Sequence, residues 1–351
     1  MKKKSKLIIF LFLLATTIGC GTYWIIAKNS QSNFVKSIKT SFKTEITSQE
    51  TNQLTGLPID KSKVNNRPIA IMINNYHGAQ PLHGVSEADI MFECPAEGGI
   101  TRILSVFKDY ENISTIGSVR SSRPYFIDLA KSLDAIYVHL GGSYQAYEKL
   151  NSGYIDSIDL IRLGQFVWRD TARRSKLGLE HSAMTSGEKL VEAINFKGYS
   201  AQINPNYKYV QKFGENSQVL DGQEVNEASA IFSHYKSTVF TYDAQDQTYL
   251  ISQFSGPQTD GNTNKQNSKQ NIIFLDVSGQ KNDNSKLLAL STTGEGSGKY
   301  ISRGKCIDIK WSRTEGANSF KFFTTDNREL IMLPGKIYVC VLPQWADAKF
   351  E

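Results

Sequence analysis

Residues 68–74, Pro68-Ile69-Ala70-Ile71-Met72-Ile73-Asn74, are apolar without alternation up to the final Asn. A strand with one wet face alternates, so an unbroken apolar strand is buried on both faces and needs a layer on each side of its sheet. That requirement points to an α/β fold, and the residues that follow supply strands and helices in turn. Ser86-Glu87-Ala88-Asp89 reads as the cap of a short helix running to about Glu93. Residues 100–107 alternate as a strand. Ser122-Arg123-Pro124 opens a helix that carries Phe126, Leu129, Ala130 and Leu133 at helical spacing. A strand over 135–140 leads through Gly141-Gly142-Ser143 into a helix over 144–150, and a last helix over 186–196 stops at Gly198. Such alternation predicts a mixed or parallel central sheet.

From about Tyr199 the pattern changes to short strand-like runs separated by Gly, Asn, Asp and Pro clusters. The expected organisation is an α/β mixed-sheet domain over 54–198 and a smaller β-rich C-terminal domain over 199–345. Residues 257–270, polar and Gly-bearing, read as a loop or disordered insert. Cys306 and Cys340, on neighbouring expected strands, fit either a disulfide or two buried thiols.

Ahead of these domains lies a membrane address. Residues 7–27 carry no charged side chain, with Lys2, Lys3, Lys4 and Lys6 before them and Lys28 after. A segment of that length and character spans a bilayer as a helix, and its basic flank keeps the amino end inside, so the remainder faces outward. Thr17-Ile18-Gly19-Cys20 also resembles a bacterial lipobox, which would make Cys20 the lipidated residue of a cleaved lipoprotein signal. Both forms of tether, single-pass helix and lipid, fit. Residues 29–53 read as a polar stalk. The formal net charge of +6 comes from 40 Lys and Arg against 34 Asp and Glu. Five of those lysines belong to the anchor, which leaves the body 35 against 34. A near-neutral, outward-facing body excludes nucleic acid as a partner.

The chemistry-bearing residues concentrate between Glu93 and His181. Within Glu93 to Arg102, the carboxylates Glu93 and Glu97 and the guanidinium Arg102 lie around a Gly98-Gly99 turn. Two carboxylates in one cleft can take different pKa values and act as acid and base on a glycan. They also fit as solvated turn charges, or with one Glu in a structural pair with Arg102. Arg120, Ser121, Ser122 and Arg123 precede the Pro-started helix and form a candidate carboxylate or phosphate site, because helix amino ends, hydroxyls and guanidiniums all attract anions. His139 ends a buried strand before Gly141, Gly142 and Ser143, the position where α/β sheets bind ligands. Trp168, Arg169 and His181 add an apolar face and further donors. No zinc-ligand spacing, nucleophile motif or phosphate loop occurs, so no metal and no cofactor is expected.

These same stretches resemble the YerB-like lipoprotein family of Gram-positive bacteria. The matching segments include Leu54-Thr55-Gly56-Leu57-Pro58, Arg67 to Asn75, Ala96 to Arg102, Gly117 to Arg123, His139 to Ser143, Trp168-Arg169 and His181. In the second domain they include Gly294 to Tyr300 and Leu333 to Lys336. The resemblance implies a membrane-attached protein facing the cell wall, with a mixed α/β domain followed by a smaller one, and it implies no particular activity. Two functions follow as expectations. In the first, the protein binds and cleaves peptidoglycan as a glycan-strand hydrolase or lytic transglycosylase. Glu97 is then the acid, Glu93 tunes it, His139 relays a proton and the arginines hold an anion. In the second, it is a non-catalytic envelope lipoprotein that acts as a ligand-binding or partner scaffold.

Overall fold

A computed structural model describes residues 49–215, 219–282, 287–316 and 319–351. The anchor, Cys20 and most of the stalk lie outside the described residues. Strand β1 (Ile69–Asn75) is buried along its whole length. Ile69, Ile71 and Ile73 enter one core, and Ala70 and Met72 enter the other. That division explains the missing alternation, since each successive side chain meets a different apolar layer.

Around β1 stand β2 (Ile90–Pro95), β3 (Thr101–Phe107), β4 (Ile136–His139) and β5 (Ser157–Asp159). Their order is β2-β3-β1-β4-β5, with β3 antiparallel to both neighbours and β1, β4 and β5 parallel. Helix α1 (Pro124–Lys131) has Pro at its start, and α2 (Tyr144–Asn151) is capped by Ser143, whose Oγ accepts from the Ala146 N–H. Both place apolar residues in the core that contains Ala70 and Met72. Strand β6 (Ala183–Thr185) precedes α3 (Gly187–Lys197), which is capped by Ser186 and ended by left-handed Gly198. Its Leu190, Ala193 and Ile194 pack into the opposite core. The expected helix toward Glu93 is instead β2. Asp89 does not cap it, because its carboxylate accepts from the Lys108 N–H and from Asn52 Nδ2.

The C-terminal part contributes β7 (Glu227–Ser233), β8 (Lys236–Asp243), β9 (Thr248–Gln253), β10 (Asn271–Lys281), β11 (Leu288–Ser291), β12 (Gly294–Ser302), β13 (Lys305–Arg313), β14 (Ile337–Pro343) and β15 (Asp347–Phe350). Strands β15-β7-β8-β9 form a second sheet, and Ala228, Ala230, Phe232 and Phe240 pack it on the β1 core. Strand β14 runs parallel to β2, with Ile337 opposite Ile90 and Cys340 opposite Glu93, and β10 runs parallel to β14. One sheet therefore crosses from the first half of the chain into the second. Residues 257–270 are ordered rather than a loose insert: Asp260 and Asn267 are buried, and Ser268–Lys269 pairs with β9. Cys306 on β13 and Cys340 on β14 are separated by β12 and β10 and stay free buried thiols, which excludes the disulfide.

Candidate anion-binding site

Strands β1, β2, β4, β5, β10 and β14 all run in one direction, so their carboxyl ends lie along one edge of the sheet. The parallel pair β1–β4 holds only from Ile69 to Ile71. Beyond it the segment Ser118–Ser122 wedges the two strands apart. Asn74 donates its N–H to Ser118 O (2.9 Å), and Arg120 donates to Met72 O (2.9 Å). On the other side Leu140 donates to Arg120 O (3.0 Å), and Ser122 donates to Gly141 O (2.9 Å). An opening between strands at their carboxyl ends is the crevice where open α/β sheets take ligands.

Three guanidiniums reach this crevice. Arg123 clasps Glu97 with two parallel bonds, Nε to Oε1 and Nη2 to Oε2, both 2.7 Å. Arg102 lies farther from the same carboxylate, with Nη2 at 3.7 Å from Oε2, and donates from Nη1 to Ser121 O (2.9 Å). Arg120 donates to the carbonyl of Glu180 (2.7 Å) and meets its exposed carboxylate at 3.3 Å. The Nε atoms of Arg102 and Arg120 are buried with no hydrogen-bond partner. Burial, with Arg123 close by, lowers the Arg102 guanidinium to about 10. Burial alone would raise the Glu97 carboxyl, but Arg123 and then Arg102 outweigh it and hold it below its ordinary range. Ser122 is buried and accepts from Tyr137 OH (2.9 Å), whereas Ser121 is partly exposed.

The Glu97–Arg123 pair stands where two cavities meet. One, of about 360 Å³, is lined by Glu97, Gly98, Gly99, Phe232, Lys281 and Trp345. The other, of about 180 Å³, is lined by Arg123, Ser143, Gln145 and, across from them, Leu288 and Leu290 of β11. Together they form a groove between the first half of the chain and the β10–β11 hairpin. The Gly98-Gly99 turn is held by the β7–β8 hairpin: Gly98 O accepts from Tyr235 OH, and Gly99 O accepts from Ser233 Oγ (2.8 Å). Gly99 has φ +73°, and a Cβ there would lie 2.3 Å from the Tyr235 oxygen, so the position requires glycine.

The structure separates most of the other expected site residues from this groove, Ser143 excepted. Glu93 is fully buried and points into the packing between the sheets. Its Oε1 lies 3.0 Å from Lys236 Nζ and accepts from Asn75 Nδ2 and Thr101 Oγ1, while its Oε2 accepts from Thr238 Oγ1 and Tyr338 OH. A carboxylate so enclosed cannot reach a ligand, so the pairing of Glu93 with Glu97 as acid and base is not formed. Glu97 in turn is held ionised, the opposite of what a general acid needs. His139 is buried and neutral, its pKa lowered by burial against the pull of Asp159, and it lines a different cavity. His181 Nδ1 accepts from Asn74 Nδ2 (2.9 Å), and its ring stacks on exposed Tyr76 beside Arg120. Trp168 is half-buried on the strand Trp168–Arg169, which pairs with β6, and Arg169 donates to Leu179 O (2.7 Å). Gly141, Gly142 and Ser143 form the turn at the mouth, where Ile161 packs on Gly141. Sequence reasoning did not find Lys281, Phe232, Trp345 or Leu288, because their place at the groove depends on the long-range pairing of β14 with β2.

Comparison with known proteins agrees with this architecture. Residues 54–200 match the N-terminal domain, and residues 228–339 the C-terminal domain, of one family, described as Protein of unknown function (DUF3048). The chain belongs to this family. A relative in Bacillus subtilis (strain 168), "Putative lipoprotein YerB", is 29% identical over 299 residues, which is 83% of this chain and 85% of the relative. The crystal structure of the YerB protein from Bacillus subtilis superimposes with a TM-score of 0.73 at 26% identity, covering 86% of this chain and 99% of that one. The YerB-like resemblance, the two-domain architecture and the predominance of sheet are thus shown. In this member of the family the groove lies between the segments that match the two domain models.

Proposed function

We propose that this protein is a non-catalytic, membrane-tethered envelope protein that holds an anionic ligand in the groove beside Glu97 and Arg123. One observation carries the reading. Arg123 and Arg102 converge on the Glu97 carboxylate, Arg120 stands beside them on Glu180, and the Nε groups of Arg102 and Arg120 are buried without partners. Unpaired buried donors and uncompensated guanidiniums cost free energy, and a bound carboxylate or phosphate offsets that cost. Catalysis is left out because Glu93 is sealed and Glu97 stays ionised. The relative's name supports a lipid tether at Cys20 and an extracytoplasmic location.

Cell-wall glycan is the ligand proposed first, since its muramyl and stem-peptide carboxylates are anions that such a protein meets. The test is calorimetric titration of the purified protein with soluble muropeptides and with the same muropeptides amidated at their carboxyls. Saturable binding that amidation and Arg123→Ala both abolish is expected, with no release of fragments from sacculi. Binding that is indifferent to amidation overturns the anion site, and release of fragments overturns the non-catalytic reading.

A further inference from the structure

A third cavity shares no lining residue with the groove. It lies along β5 at the outer edge of the sheet and measures about 340 Å³, within the size range of small-molecule sites. His139 lines it and is 1% exposed. Its Nδ1 is 2.8 Å from Gly141 O, and a carbonyl only accepts, so in the neutral ring the proton sits on Nδ1. Nε2 is then a bare acceptor, buried and without a partner. Leaving such an atom unpaired is unfavourable, and a donor brought by a ligand relieves it.

The charges around the cavity are sorted by depth. Asp159 is nearly buried: its Oδ1 accepts from the N–H groups of Gly141 and Ile161, and its Oδ2 accepts from Tyr147 OH (2.8 Å). Asp156 stands nearer the rim, its side chain 41% exposed, and is paired with Arg67. The cations are outermost. Arg162 is 62% exposed, lies over the Tyr147 ring at 5.1 Å and meets Asp159 at 3.5 Å, while Lys197 is exposed at the end of α3. The inner wall therefore offers acceptors and the rim offers positive charge, with Leu150 and Leu163 as apolar wall between.

We propose that this cleft binds a small zwitterion, an α-amino acid. Its ammonium faces His139 Nε2 and the two aspartates, and its carboxylate faces Arg162 and Lys197. The arrangement needs both ligand charges, which sets it apart from the anion groove and makes it independent of the reading given for that groove.

The experiment titrates the full-length protein with glycine and alanine, with their N-acetyl and methyl-ester forms, and with glucose. The ¹⁵N resonance of His139 is followed alongside calorimetry. Saturable binding of the free amino acids is expected, with a shift of the Nε2 signal and at least tenfold weaker binding of each blocked form. His139→Phe is expected to weaken binding tenfold or more. If that variant fails to fold, Lys197→Ala serves instead, and it is expected to weaken the free amino acids several-fold while leaving the methyl esters unchanged. Three results overturn the proposal: no saturation by any free amino acid, blocked forms that bind as tightly as free ones, or glucose binding more tightly than either.

Discussion

Two charged centres arise from one short stretch of sequence, and they differ in balance. Glu93 and Lys236 are both wholly buried, 3.0 Å apart, and every remaining Glu93 lone pair is met by Asn75, Thr101, Thr238 or Tyr338. Lys236 also lies under the Phe254 ring at 4.7 Å. Burial lowers the Lys236 ammonium, and Glu93 opposes that. Four residues along, Glu97 faces more positive charge than it neutralises. The first centre is complete and joins the two halves of the chain, whereas the second retains unpaired donors at an open groove. Charge alone does not make a site; excess charge with access to solvent does.

The most severe way to break the comparison is to unbalance the sealed pair. Glu93→Gln leaves Lys236 buried without a counter-charge, and removing one partner of a buried pair costs about 3–5 kcal/mol. Chemical denaturation should show that loss, while adding Lys236→Met to Glu93→Gln, which removes the uncompensated charge and keeps an acceptor for the surrounding donors, should recover part of it. A loss under about 1 kcal/mol in the single variant would mean that water reaches the pair. Gly99→Ala comes next. It forces a side chain into a left-handed conformation against Tyr235, at about 1–3 kcal/mol. It should also weaken the groove's anion binding, because it displaces the turn that carries Glu97. Normal binding in a destabilised Gly99→Ala protein would separate the turn from the site.

Glu97→Gln distinguishes the two centres by sign. At the sealed pair, loss of the carboxylate only destabilises. At the groove it frees Arg102 and Arg123, so affinity for an anionic ligand should rise by about tenfold, or about 1.4 kcal/mol. A catalytic Glu97 would show no such gain. Calorimetry with the same muropeptides reads the difference, and weaker binding by the Gln variant would make Glu97 part of the ligand contact instead.

The doubly buried β1 and the Gly-rich turns were legible because their causes are local. The apolar run records two cores, and Gly141-Gly142-Ser143 records a strand end followed by a helix cap. The expected helix before Glu93 failed because Asp89, a good cap in isolation, is used by Lys108 and Asn52. The polar stretch 257–270 looked loose because composition does not reveal the partners of its buried members, backbone N–H groups for Asp260 and the Gln258 and Lys269 side chains for Asn267. Of the groove, the arginines were found in sequence but their balance was not. Lys236 stands far along the chain from Glu93, and only the folded sheets show which glutamate it neutralises.

The smallest expected effect is the pH dependence of the groove's ion pair. The folded-state pKa of Glu97 is depressed from its ordinary value of 4.5 by Arg123 and Arg102, against the effect of burial. A depressed carboxylate adds stability that is fully present above the unfolded value and is lost as pH falls through the folded one. The stability of the natural protein minus that of Glu97→Gln should thus be flat above about pH 5 and decline below the ordinary carboxylate value. Because the Glu97 side chain is 20% exposed, solvent screening holds the effect to about 1 kcal/mol. Denaturation midpoints from pH 2.5 to 7 measure it, on the order of a few tenths of a molar in denaturant. A difference that instead grows toward acid would mean that Glu97 is protonated in the folded state, and with it the cationic excess of the groove would be larger than the ion pairs imply.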